Sequence, residues 1–154
     1  MTKTHFFLPD EASMIAFGKR LAKAVITPTI IFMHGSLGAG KTTLARGFLR
    51  GLGYEDRVKS PTYTLVEAYE LENLTVFHFD LYRLNDPQEL EFMGIQDYFT
   101  EKTICLIEWP EHGEEYLPPP DLSCYIEMHQ SGRGIRWVAA SAQGETILQR
   151  LAHD

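Results

Sequence analysis

The sequence predicts an α/β fold: a central mixed, mainly parallel sheet flanked by helices, with an antiparallel hairpin towards the C-terminus. Three observations carry that expectation. Two short, continuous apolar runs, "TIIFMH" (29–34) and "TICLIEW" (103–109), read as strands buried on both faces, the habit of parallel sheets. The first leads into the glycine loop "GSLGAGKTT" (35–43) and then a helical stretch. Beyond Pro118, Pro119 and Pro120, alternating apolar positions flank a Gly-rich turn, which marks a hairpin.

The elements follow in order. "HFFLPDEASMIAFGKRLAKAV" predicts a short strand and then an amphipathic helix, with Met14, Phe17, Leu21 and Val25 on one face. Asp10 and Glu11 sit where acids suit the positive end of that helix. After the glycine loop a helix of about ten residues is expected to stop near Gly51 or Gly53. "VKSPTYTLVEAYEL" predicts a proline-broken loop and an alternating strand that already includes Leu65; "LTVFHFDLY" is the next strand. "NDPQELEFMG" carries a helix signature, with Asp86 as N-cap, Pro87 first, Glu89 three residues after the cap and Gly94 as stop. In the hairpin, Cys124, Ile126 and Met128 alternate before the turn, and Ile135 and Trp137 after it. The final stretch "GETILQRLA" fits a strand or a helix.

With 154 residues, no internal repeat and no Gly/Ser linker, residues 1–154 are expected to form a single domain. No stretch is long and apolar enough for a membrane span, and no basic-then-apolar leader opens the chain, so the expected location is the cytoplasm. Cys105 and Cys124 lie in apolar strand-like runs without metal-ligand spacing and read as buried free thiols. The formal charge of −7 argues against a chain that grips DNA or RNA unaided, because such domains neutralise phosphates with a basic face. If nucleic acid enters the biology, another protein is expected to hold it.

The glycine loop matches G-x-x-x-x-G-K-[ST] in full, at Gly35, Gly40, Lys41 and Thr42, between a strand and a helix. Glycines let the backbone wrap until consecutive N–H groups point at phosphate oxygens, and the helix adds its unpaired amides and positive dipole end. Lys41 is expected to reach the β- and γ-phosphates as a mobile charge, and the Thr42 hydroxyl to ligate Mg²⁺. Gly35, Ser36, Leu37, Gly38, Ala39, Gly40, Lys41, Thr42 and Thr43 are therefore the expected binding stretch for a nucleoside triphosphate with Mg²⁺.

Hydrolysis needs more than a phosphate loop: an acid that shapes the metal site and a group that orients water. Two strands end in acids, "VFHFD" at Asp80 and "CLIE" at Glu108, and in a parallel sheet those ends share the edge that carries the loop. Either acid suits Mg²⁺, directly or through water, with the other positioning the attacking water. "SPTYT" offers Thr62 or Thr64 as a γ-phosphate contact, against an ordinary proline turn. Trp109 and Glu111, in "EWPE", are expected beside the nucleotide, with core packing the competing role for Trp109. Arg83 suits transferred charge less well than a surface pairing with Glu89 or Glu91.

A guanine reader would carry N-K-x-D and a switch GTPase D-x-x-G; neither string occurs, which favours ATP. The alternative enzyme is a small-molecule kinase, yet the arginines form no lid-like cluster. A nucleotide-gated binding module that never hydrolyses is the third reading.

The strings "GSLGAGKTT", "KSPTYTLVE", "FHFDLYRL", "ELEFMGI" and "IEWPE", in this order, closely resemble the TsaE (YjeE) family, from about residue 8 to beyond 140. The resemblance implies a P-loop ATPase of the bacterial machinery that makes threonylcarbamoyladenosine at adenosine 37 of tRNAs reading ANN codons. It implies weak activity alone, work with a TsaB–TsaD heterodimer that meets the tRNA, and hydrolysis that resets that complex between turnovers. It also implies that Lys41 and Thr42 carry phosphate and Mg²⁺, that Glu108 is a metal-site acid and Asp80 a catalytic acid at the metal, and that Glu11, Glu111 and Arg133 frame the nucleotide.

Overall fold

The structure is a computed structural model and describes residues 2–153. Seven strands form one sheet: β1 (His5–Leu8), β2 (Thr29–His34), β3 (Val66–Glu70), β4 (Thr75–Asp80), β5 (Thr103–Glu108), β6 (Leu122–His129) and β7 (Gly132–Ala139), in the order β1-β7-β6-β2-β5-β4-β3. The four middle strands, β6-β2-β5-β4, are parallel to one another, while β3, β7 and β1 are added antiparallel at the margins. The continuous apolar runs became the central strands because both faces there are covered. All six residues of β5 are buried.

Helices α1 (Glu11–Ala24), α2 (Lys41–Gly51) and α4 (Ala142–Ala152) share the larger core with one face of the sheet. Short α3 (Gln88–Phe92) and the 3₁₀ turns that follow close a second core, around Phe79, Leu90, Ile95 and Ile107, on the other face. Asp10 caps α1: its Oδ1 accepts from Ser13 N–H at 2.8 Å, and the Ser13 hydroxyl accepts from Asp10 N–H in return. The undecided tail is helical because Ser141 caps it, its Oγ accepting from Gly144 N–H at 3.0 Å.

Three local expectations change. Leu65 lies outside the strand, with φ at 69° and its N–H donated to Pro61 O, so β3 begins one residue later. Pro87, not Asp86, is the N-cap of a helix confined to Gln88–Phe92; Asp86 Oδ1 still accepts the Gln88 N–H, and Gly94 stops the segment in a left-handed conformation before a 3₁₀ turn. Met128 alternates in phase with Cys124 and Ile126 yet stays 61% exposed, because it lies outside the core that takes in those two residues.

Candidate functional site

The parallel register brings the chemistry to one edge. Asp80 and Glu108 are direct partners at the ends of β4 and β5, and Glu108 also pairs with Met33, one residue before the end of β2. The loop after β2 turns over these ends, with Gly35, Gly38 and Gly40 at φ of 157°, 79° and 116°, values that side chains with a Cβ rarely adopt. Gly40 precedes the first turn of α2, so the amides of that turn open onto the same edge.

Lys41 is 4% exposed. Its ammonium donates to Gly35 O and lies 4.0 Å from the centroid of the Trp109 ring. Burial lowers its pKa, opposed by the charges of Glu108, Asp80 and Glu111. The Thr42 hydroxyl donates to Glu108 Oε2 at 3.3 Å. Asp80 Oδ1 accepts the Tyr82 N–H at 3.0 Å, and burial raises the Asp80 pKa above the ordinary carboxylate value. Lys41, Thr42, Thr62, Asp80, Glu108 and Trp109 line one cavity of about 220 Å³ together with the outer turn of the loop.

A second cavity, of about 320 Å³, adjoins it across Gly38, Gly40 and Thr43 and is bounded by Asp10, Glu11, Met14, Ala39 and Arg133. Glu11 pairs there with Arg46 at 2.8 Å. Arg133 reaches from the β6–β7 hairpin and donates to the carbonyls of Ala39 (2.9 Å) and Gly38 (3.3 Å).

Not every sequence-derived candidate stands in these cavities. Leu37 lines the first, whereas Gly35 and Ser36 line neither. Glu111 lies 3.7 Å from His34, outside both. Of the two threonines weighed, Thr62 reaches the first cavity, while Thr64 donates to Glu67 at 3.2 Å. Arg83 is not paired with Glu89 or Glu91; it stacks on Tyr63 at 4.7 Å. One residue escaped the sequence reading altogether. His78, fully buried, places Nε2 at 2.5 Å from Glu108 Oε2. The signal was present as a histidine two residues before Asp80, hence on the same face of a strand that is otherwise apolar.

Among the described residues no cluster of three or more His, Cys, Asp or Glu could cage a metal unaided. Mg²⁺ keeps waters and takes one or two carboxylates plus phosphate oxygens. Thr42 and Glu108, in contact, and Asp80 beside them form such a hard-oxygen set.

A family model described as "Threonylcarbamoyl adenosine biosynthesis protein TsaE" matches residues 8–135. Among curated proteins, "tRNA threonylcarbamoyladenosine biosynthesis protein TsaE" of Haemophilus influenzae is 46% identical over 152 residues, covering 96% of each chain. The protein of that name from Bacillus subtilis is 36% identical over 149 residues, covering 95% of this chain and 91% of the other. Among solved structures, Bacillus subtilis YdiB superposes with a TM-score of 0.82 at 29% identity, over 99% of this chain and 97% of that one.

Proposed function

The chain belongs to the TsaE family, and from that premise we propose that it is a magnesium-dependent ATPase of tRNA threonylcarbamoyladenosine formation. It works in the cytoplasm as a single-domain partner of a TsaB–TsaD complex, meeting tRNA only through that complex. The observation that carries the reading is the convergence of Lys41, Thr42, Asp80 and Glu108 on one cavity beneath the glycine loop.

The loop amides and the first turn of α2 bind the phosphates, and Lys41 adds charge to the terminal ones. Thr42 and Glu108 would hold Mg²⁺, with Asp80 beside them, and the bound ion would supply charge neutralisation for the transferred phosphoryl group. Asp80, made more basic by burial, accepts a proton from the attacking water. Glu11 and Arg133 frame the nucleotide's other end in the adjoining cavity, and Glu111 acts from the outer side of His34. The acidic chain needs no nucleic-acid face of its own when a partner holds the tRNA.

The test is ATP turnover with Mg²⁺, measured alone and with purified TsaB–TsaD and tRNA. Slow turnover alone, stimulation by the pair, and loss in Lys41→Ala and Asp80→Ala are the expected results. Undiminished tRNA modification by a reconstituted system carrying Lys41→Ala overturns the proposal.

A further inference from the structure

We propose that His78 is a positioning residue that fixes the Glu108 carboxylate for the metal-bound nucleotide. The inference rests on the function proposed above but concerns a residue outside the phosphate loop and the two strand-end acids.

Glu108 is 3% exposed, so its carboxylate depends on protein partners for its orientation. Among the described residues two side chains hydrogen-bond to it, both at Oε2: the Thr42 hydroxyl at 3.3 Å and His78 Nε2 at 2.5 Å. The first is long for a hydroxyl donor, whereas the second is short and strong. Where Glu108 serves as the ionised carboxylate that holds a metal it only accepts, and the proton between the two groups then sits on His78 Nε2. Oε2 is thereby anchored from below by β4, and Oε1 is left as the oxygen for a ligand.

The other ring nitrogen of His78 strengthens the argument. Nδ1 is buried with no hydrogen-bond partner among the described residues. An apolar side chain in this fully buried place would avoid that penalty, so an imidazole here is not explained by packing. Its bond to Glu108 is the gain that offsets the unpaired nitrogen. Outer partners of metal-ligating groups act in this manner, and their loss typically weakens metal affinity or activity by about 10- to 100-fold.

The experiment is calorimetric titration of a non-hydrolysable ATP analogue at a series of Mg²⁺ concentrations and in excess chelator. His78→Leu keeps the volume and removes the donor; His78→Gln restores an N–H near the Nε2 position. In His78→Leu the Mg²⁺ concentration for half-maximal binding should rise about 10-fold or more, with chelated-state affinity within about 2-fold of wild type. His78→Gln should recover most of the Mg²⁺ dependence. If the leucine variant does not fold, His78→Asn, whose amide ends short at the Nδ1 position, takes its place against His78→Gln. Wild-type Mg²⁺ dependence in the donor-less variant, equal impairment of His78→Gln, or an equal loss of affinity in chelator overturns the inference alone. Wild-type protein with no Mg²⁺-dependent binding overturns the proposed function as well.

Discussion

The Lys41 ammonium lies 4.0 Å from the centroid of the Trp109 ring, and Trp109 holds that place from a left-handed backbone, φ 56° and ψ 50°, directly after Glu108. A non-glycine residue in that region is strained by about 1–3 kcal/mol, and such strain persists only where the surroundings enforce it. Here Tyr82 and His112 pack on the ring, with centroids at 4.9 Å and 5.5 Å. From that left-handed step the indole lines the cavity beside Lys41.

Trp109 should therefore order Lys41 before nucleotide arrives. A partly desolvated cation–π contact contributes about 0.5–2 kcal/mol, so Trp109→Leu should raise the nucleotide Kd about 2- to 30-fold, with Trp109→Phe retaining most of the affinity. Unaltered calorimetric affinity in the leucine variant would reduce the ring to packing.

Arg133 should act on the same affinity from the opposite side of the loop. Its guanidinium fork holds two loop carbonyls, and hydrogen bonds to charged groups contribute about 1.5–3 kcal/mol, less at this half-exposed position. Arg133→Ala should weaken nucleotide binding about 10-fold, and Arg133→Lys, lacking the fork, nearly as much. Equilibrium binding that leaves Arg133→Ala at wild-type affinity would separate the hairpin from the loop.

The thiols report on the core. Burial pushes both Cys105 and Cys124 up to about 12. The native state thus disfavours the thiolate, so this contribution to stability is constant below the unfolded-state pKa and is lost as pH rises from 9 to about 12. Chemical denaturation should show stability falling across that range, and less steeply in a Cys105→Ala/Cys124→Ala variant. Thiol labelling at pH about 8 should proceed no faster than unfolding; rapid native labelling would contradict the burial.

The helix carrying the phosphate loop is locked to α1 through glycine. A Cβ on Gly18 would stand 2.6 Å from Leu44 O, and one on Gly47 would run into the Ile15 carbonyl. Alanine in a helix gains about 1 kcal/mol over glycine, but overpacking against backbone costs about 1–3 kcal/mol or more. Gly47→Ala should therefore lower Tm, by roughly 2–4 °C for each kcal/mol of net loss. A raised Tm would show that the helices part easily.

Much of the architecture was legible in local pattern. The buried strands, the glycine loop with its helix, and the hairpin follow from apolar period and from residues whose backbone demands are local, such as the three loop glycines. Asp80 and Glu108 were legible as strand-end acids because parallel strands deliver their carboxyl ends to one edge.

Other features depend on which segments meet across the fold. Spacing could not say which of Thr62 and Thr64 lines the cavity: Thr62 does, while Thr64 donates to Glu67. Nor could it join Arg133 to carbonyls 94 and 95 residues away, or His78 to Glu108 across 30. By itself the sequence determined the strands, the phosphate loop and the edge on which the acids stand, because those depend on neighbours along the chain. Tertiary structure alone decided how each acid is held and what presses on the loop, because a buried polar group takes its direction from partners that packing supplies.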